Sequence, residues 1–339
     1  MGDWVREHKA ISVIVISVLG FALVAVVAFG IGKLVKGIVT SEKDSNKPTQ
    51  SSEVSSDSFW SDRTDESTSE TETENSTEST TESTTEVKNE STTVFNDISI
   101  TVSQTFSEPT GVSTKTDGNK KIYYPTALEV TQKKYPVIVW ANGTGCATDT
   151  YDGLLKKIAE AGYIVVADSS VMTADGSAQQ NSIDYIISQN NSSSAVFNGK
   201  ADTAKIGAAG HSQGGRSSVN AAQNDSRIKC IVSIAGASSA EEANGLKTPA
   251  LFLTGTADMV VVSSQWCKPS YDAVSGKAVY ASLKGGVHTT CITNPERISE
   301  YVISWFDANL KGENTARAKF VNGGKLATDS AWQDFACKN

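Results

Sequence analysis

In the stretch AAGHSQGG (208–215), Ser212 stands two residues after Gly210 and two before Gly214. A serine hydroxyl becomes a useful nucleophile when a neighbouring base takes its proton. Glycines at this spacing let a strand and a helix approach closely around a sharp turn that exposes the hydroxyl. The chain holds three histidines. His8 precedes a long apolar run, far from Ser212. His211 is adjacent to Ser212, and consecutive side chains on such a turn diverge. His288, in GGVHTT, is therefore the candidate base. An acid must hold its imidazole in one tautomer, and Asp258, closing LFLTGTAD, fits that role better than Asp272, Glu241 or Glu242. The chain order Ser212, Asp258, His288 suits acyl transfer on a strand–turn–helix elbow. Two backbone N–H groups should stabilise the oxyanion. One is expected from Gln213, after the nucleophile. The other is expected from NGTG (142–145), with Gly143 the first choice and Thr144 next.

These residues need a scaffold. PVIVWA (136–141), YIVVA (163–167), KIGAAG (205–210), IKCIVSIA (228–235), PALFLT (249–254) and KAVYASL (277–283) read as strands. Most are continuous apolar runs, the pattern of parallel strands covered on both faces. ISITV (98–102) and KKIYY (120–124) suit antiparallel edge strands. Helix patterns lie between the strands. One spans 150–161 and stops at Gly162. Another opens at Ser212. A third spans 295–310, with Asn294 as cap, Pro295 at the first position and Gly312 as the stop. Such alternation predicts an α/β fold with a mostly parallel central sheet and helices on both faces.

Composition divides the rest of the chain of 339 residues. After a short tail (1–9), residues 10–32 contain no charged residue. As a helix they would span about 34 Å, enough for a hydrocarbon core of about 30 Å. A transmembrane signal anchor is expected there, since no small-x-small cleavage site is evident. Residues 41–93 hold 26 Ser or Thr and 14 Asp or Glu against 4 Lys or Arg. That segment cannot bury enough apolar surface to fold and reads as a disordered linker. Residues 94–339 form the expected catalytic domain, with 22 acidic and 22 basic residues. The net charge of −8 thus belongs to the linker, and nucleic-acid binding is not expected. No metal cluster or phosphate-cradling loop is visible, so no cofactor is expected. A monomer is expected, held to the cell membrane by the N-terminal helix with its catalytic domain outside.

From KKIYYPT (120–126) to the C-terminus the chain resembles the α/β-hydrolases of the cutinase-like, polyethylene terephthalate hydrolase-like group, relatives of the dienelactone hydrolases. KADTAKIGAAGHSQGGRSS (200–218), YPVIVWANGTG, AGYIVVAD, LTGTAD and GGVHTTC carry the likeness in order. The resemblance implies an α/β-hydrolase fold, a triad at Ser212, Asp258 and His288, and oxyanion donors at Gln213 and Gly143. The group's polyester hydrolases have an aromatic residue at the Gly143 position and a tryptophan where this chain reads AGASSA (235–240). Both are missing here, which implies soluble aliphatic esters of short or medium acyl length. Trp140 and Trp266 are the aromatics nearest the expected cleft.

Two function classes follow. One is a serine ester hydrolase working through an acyl-enzyme, with acyl transfer or amide hydrolysis open to the same residues. The other is a binding domain on a hydrolase scaffold. Five cysteines, at 146, 230, 267, 291 and 337, all lie in the folded part. Cys230 sits in an apolar strand and is expected as a buried thiol. In this fold the loops after Asp258 and His288 are neighbours, which implies a Cys267–Cys291 disulfide, with Cys146 and Cys337 left over.

Overall fold

A computed structural model describes residues 92–95, 98–101 and 108–338. Strand β1 (Thr92–Phe95) pairs antiparallel with β2 (Ile98–Thr101) in a two-stranded sheet of their own. The strand expected at 98–102 therefore pairs within this hairpin. The hairpin belongs to one compact unit and the chain from Glu108 onward to another. The apolar run 10–32 and the linker up to residue 91 lie outside the described residues. Among the described residues, no helix is long and apolar enough to cross a membrane.

The larger unit is built on a nine-stranded sheet. Its strands are β3 (Val112–Asp117), β4 (Lys120–Pro125), β5 (Tyr135–Ala141), β6 (Ile164–Asp168), β7 (Ala201–His211), β8 (Ile228–Ile234), β9 (Ala250–Gly255), β10 (Ala278–Leu283) and β11 (Trp332–Lys338). They lie in the order β11-β10-β9-β8-β7-β5-β6-β4-β3. Strands β5 to β10 are parallel where they pair, while β4 and β3 at one edge and β11 at the other run antiparallel. The mostly parallel sheet expected from the apolar runs is observed.

Burial on both faces explains those runs. On β5, Ile138 and Trp140 join one core cluster, while Val137 and Val139 join another on the opposite face. The first cluster is covered by α1 (Asp152–Glu160), through Leu154, Leu155 and Ile158. The second is covered by α2 (Ser177–Asn191), through Ile183 and Ile186, and by α3 (Gln213–Asn224), through Val219 and Ala221. After the short α4 (Ala240–Ala243), α5 (Cys267–Ala273) adds Cys267 and Tyr271 to that second face. After the short α6 (Thr290–Thr293), α7 (Glu296–Phe306) returns to the first face with Val302, Trp305 and Phe306.

The strand order reverses at β5. The chain leaves β5 for β6 on one side, then crosses back to β7 on the other. In open α/β sheets the crevice at such a reversal, beyond the carboxyl ends of the strands, is where ligands bind. Gln179 of α2 ties this point together. Its Nε2 lies 3.1 Å from the Val139 carbonyl, 3.0 Å from the Ala209 carbonyl and 3.0 Å from Ser218 Oγ.

A buried ion pair braces the β4–β6 edge of the crevice. Lys120 and Asp168 are register partners across the two strands and are only 6% and 2% exposed. Asp168 also accepts from Asn119 Nδ2 (3.0 Å) and the Ser170 N–H (2.7 Å). Its backbone carbonyl accepts from Asn142 Nδ2 (2.9 Å), the residue that opens the turn after β5. Removing the ammonium would strand a buried carboxylate, which costs about 3–5 kcal/mol. Lys120→Met is expected to lower unfolding free energy by about 3 kcal/mol in a urea titration. A loss under about 1 kcal/mol would show that the pair contributes little.

Candidate active site

Strand β7 runs directly into Ser212, and α3 starts at the next residue. Ser212 has φ 56° and ψ −120°, a left-sided backbone that side chains rarely adopt. Such strain costs about 1–3 kcal/mol and persists only where the surroundings over-determine it. Here they do. The Ser212 N–H donates to the Ile234 carbonyl (2.9 Å), and its own carbonyl accepts from the N–H groups of Gly215 (3.0 Å), Arg216 (3.2 Å) and Ala237 (3.1 Å). The flanking glycines are required by contact. A Cβ at Gly210 would stand 2.2 Å from the Gly214 carbonyl oxygen, and one at Gly214 would stand 2.0 Å from that of Ala141.

The three side chains expected from the sequence come together. His288 Nε2 lies 3.0 Å from Ser212 Oγ, and His288 Nδ1 lies 2.8 Å from Asp258 Oδ2. Asp258 is buried in the turn after β9, and its Oδ1 accepts from the N–H groups of Val260 and Val261, each at 2.9 Å. A carboxylate fixed by two backbone donors holds the proton on Nδ1 of His288. That leaves the Nε2 lone pair directed at the serine hydroxyl.

The oxyanion expectation needs a correction at Gly143. Its N–H donates to Tyr151 Oη (3.0 Å) inside the protein, so it does not face the cleft. In the same turn the Gly145 N–H donates to the Val171 carbonyl (3.1 Å) and the Cys146 N–H to the Gly143 carbonyl (3.1 Å). Thr144, half-exposed between them, has an N–H with no partner among the described residues. Gln213, the first residue of α3, has an N–H that no residue of its own helix can accept. Gly143 also has little room for a side chain. A Cβ there would meet His211 Nδ1 and Tyr151 Oη at 3.0 Å and Ser212 Cβ at 3.4 Å.

His211 points away from Ser212 Oγ, as the divergence of neighbouring side chains predicts. It is 2% exposed, with Nδ1 3.0 Å from Tyr151 Oη and Nε2 2.8 Å from the His288 carbonyl. Burial, reinforced by the nearby His288, holds its pKa down to about 3, so the ring is neutral. Tyr151 ends the turn Thr148–Tyr151 before α1 and is fully buried. Sequence reasoning gave it no role, because a tyrosine at a helix start reads only as a core aromatic.

Two further expectations change. All five cysteines are free. Cys267 opens α5 and packs in the second core cluster, with Sγ 3.4 Å from the Gly236 carbonyl, whereas Cys291 packs in the first. The expected Cys267–Cys291 bond is thus precluded because the thiols serve opposite faces of the sheet, although their loops start close together. Burial pushes the Cys267 thiol up to about 12, and Cys291 is raised as well, chiefly by burial. Trp140 is fully buried and donates to Asn142 Oδ1 (3.0 Å), so it is core; Trp266 is half-buried against the second cluster. Around the triad the loops expose apolar side chains instead: Val171 and Met172 after β6, Met259 and Val260 after Asp258, and Val287 before His288.

The profile of a protein family described as PET hydrolase-like (PETase) matches residues 74–336. A bis(hydroxyethyl) terephthalate hydrolase from Streptomyces coelicolor is 23% identical over 195 residues, covering 56% of this chain and 61% of the relative. The match therefore spans somewhat less than two thirds of that relative's length.

The buried His211 sets a pH dependence of stability. An unfolded histidine titrates near 6.5, whereas folded His211 titrates near 3. Between those values the unfolded chain binds a proton that the native ring refuses. The stability from His211 is therefore complete above pH 6.5 and is lost as pH falls, at about 1.4 kcal/mol per unit. Urea midpoints are expected to drop between pH 7.5 and 5, and the drop should shrink in His211→Gln. Asp152, held down to about 2 by Tyr123 and Lys121 against the opposing effect of burial, titrates below this window. An equal drop in wild type and variant would exclude His211 as the source.

Proposed function

The chain belongs to the PET hydrolase-like family, and on that premise we propose that it is a serine ester hydrolase working through an acyl-enzyme on Ser212. The observation that carries this reading is the chain of contacts Ser212 Oγ–His288–Asp258, at 3.0 and 2.8 Å, beneath a strained serine backbone. His288 Nε2 takes the hydroxyl proton as Oγ attacks the ester carbonyl. The N–H groups of Gln213 and Thr144 receive the oxyanion, aided by the positive end of α3. The alcohol leaves with the proton from His288. A water molecule, activated by the same base, then releases the acid and restores Ser212.

The rim supports esters of aliphatic acids, short to medium in length. A Cβ at Gly143 would already press on His211 and Tyr151 at 3.0 Å, Ala237 is small, and Trp140 is buried, so these three positions supply no ring to clamp a flat aromatic unit. The exposed Val171, Met172, Met259, Val260 and Val287 offer apolar contact without stacking. The terephthalate ester in the relative's name belongs to that relative. We also propose that the uncharged run 10–32 anchors the chain in the cell membrane and that the linker 41–93 holds the hydrolase clear of its outer surface. The run's length and the linker's composition support this.

A fluorophosphonate probe is expected to label the wild-type chain and not Ser212→Ala. Hydrolysis of p-nitrophenyl butyrate is expected to fall by about 10⁴–10⁶-fold in Ser212→Ala and in His288→Ala, since either change disables the same unit. Persistent labelling of Ser212→Ala would assign the nucleophile elsewhere. A wild-type chain that neither labels nor cleaves any ester would favour a binding module.

Substrate class is tested separately. Release of soluble product from aromatic polyester film is expected to be slight beside hydrolysis of p-nitrophenyl butyrate. Comparable rates on both would overturn the aliphatic assignment.

A further inference from the structure

Three hydrogen bonds, two buried and one half-buried, run beneath the catalytic cleft without touching the reacting atoms. The Gly143 N–H donates to Tyr151 Oη (3.0 Å), Tyr151 Oη lies 3.0 Å from His211 Nδ1, and His211 Nε2 lies 2.8 Å from the backbone carbonyl of His288. Their directions are determined. A carbonyl only accepts, so Nε2 of His211 carries the ring proton. The ring is neutral, so Nδ1 accepts, and the Tyr151 hydroxyl must give its proton there. Its oxygen lone pair then takes the Gly143 N–H. Tyr151 is fully buried and His211 nearly so, which limits water's access to the two bonds at Tyr151 Oη.

We propose that Tyr151 and His211 are positioning residues for the ester hydrolysis argued above, fastening the turn that carries Thr144 to the loop that carries His288. The inference rests on that reading of the site. At one end, the Gly143 amide is drawn inward, so that Thr144 is the residue left to present its N–H to the cleft. At the other end, the backbone of the base is held to the residue next to the nucleophile, with the His211 and His288 rings 4.6 Å apart. Asp258 orients the His288 ring, whereas His211 fixes the peptide that carries it. Oxyanion donor and base are thus set relative to each other by side chains, across loops that leave different strands.

A misplacement of about 1 Å between reacting groups can cost about 100-fold in rate. Tyr151→Phe keeps the ring that packs on Trp140, with centroids 5.0 Å apart, and removes both bonds at Oη. In the full chain its kcat on p-nitrophenyl butyrate is expected to fall about 10–100-fold, with KM within about twofold. Ile158→Ala, a cavity in α1 outside the network, serves as the control. It should lower Tm at least as much as Tyr151→Phe and keep kcat within about twofold. Should Tyr151→Phe fail to fold, His211 gives the same test. His211→Gln retains an amide donor able to reach the His288 carbonyl and should keep kcat within about fivefold, while His211→Leu should lose about 10–100-fold. Wild-type kcat in Tyr151→Phe, or equal losses in His211→Gln and His211→Leu, would overturn the positioning role and leave the ester hydrolase reading intact. A wild-type chain without esterase activity would overturn both.

Discussion

The site depends on a backbone contact where no side chain fits. At the carboxyl ends of β5 and β7, the first turn of α3 lies against the strand ends so tightly that Gly214 faces the Ala141 carbonyl and Gly210 faces Gly214. This contact forces the chain through the positive φ of Ser212 and aims its hydroxyl out of the sheet. The strain is held by the four hydrogen bonds on the Ser212 peptide groups and by the packing of α3 on the second core cluster. The geometry of Ser212, the proposed nucleophile, is therefore a property of the sheet, and the proposed base and acid, His288 and Asp258, only have to reach it.

They reach it from β9 and β10, on the same side of the reversal as β7, while the turn bearing Thr144 comes from β5. Loops from separate strands must keep sub-ångström relations, and buried polar groups supply them. Asn142 shows how. Its side chain accepts from Trp140 Nε1 and donates to Thr148 Oγ1 and the Asp168 carbonyl, and its own carbonyl accepts from Thr173 Oγ1. A satisfied buried amide of this kind rigidifies its surroundings, because every alternative position leaves a polar group unpaired. The Gly143–Tyr151–His211 chain continues that framework from the turn to the base loop.

The parts legible in the sequence were those whose chemistry resides in side chains. His288 could be chosen because the chain holds only three histidines, Ser212 because glycines flank it on both sides, and Asp258 because it closes an apolar strand in the order that an elbow fold requires. The six parallel strands were visible because burial on both faces demands uninterrupted apolar residues. Edge strands escaped, since VSTKTD in β3 and WQDFACK in β11 meet solvent and carry no such run. The choice between Gly143 and Thr144 was out of reach because a backbone N–H leaves no trace in residue type. The cysteine pairing failed for a related reason. Sequence distance from Asp258 and His288 says which loop a thiol follows, and not which face of the sheet it enters. At Gly312 the stop signal held, with φ 76°, yet α7 had already given way at Asp307 to a wider turn.

The edge position of β3 has a mechanical meaning. The described part of the larger unit begins at Glu108, so a pull applied at that end enters through this strand. β3 pairs with a single strand, β4, through a six-residue antiparallel ladder from Val112–Pro125 to Asp117–Lys120, with side-chain ties from Tyr185 Oη to Asp117 Oδ2 (2.9 Å) and from Ser113 Oγ to Thr126 Oγ1 (3.2 Å). β4 and β6 stand between it and β5, and the strands bearing Ser212, Asp258 and His288 lie farther still. Tension would therefore load the outermost ladder first and dissipate in its rupture. The loops of the proposed triad sit behind a sacrificial strand, as a circuit sits behind a fuse.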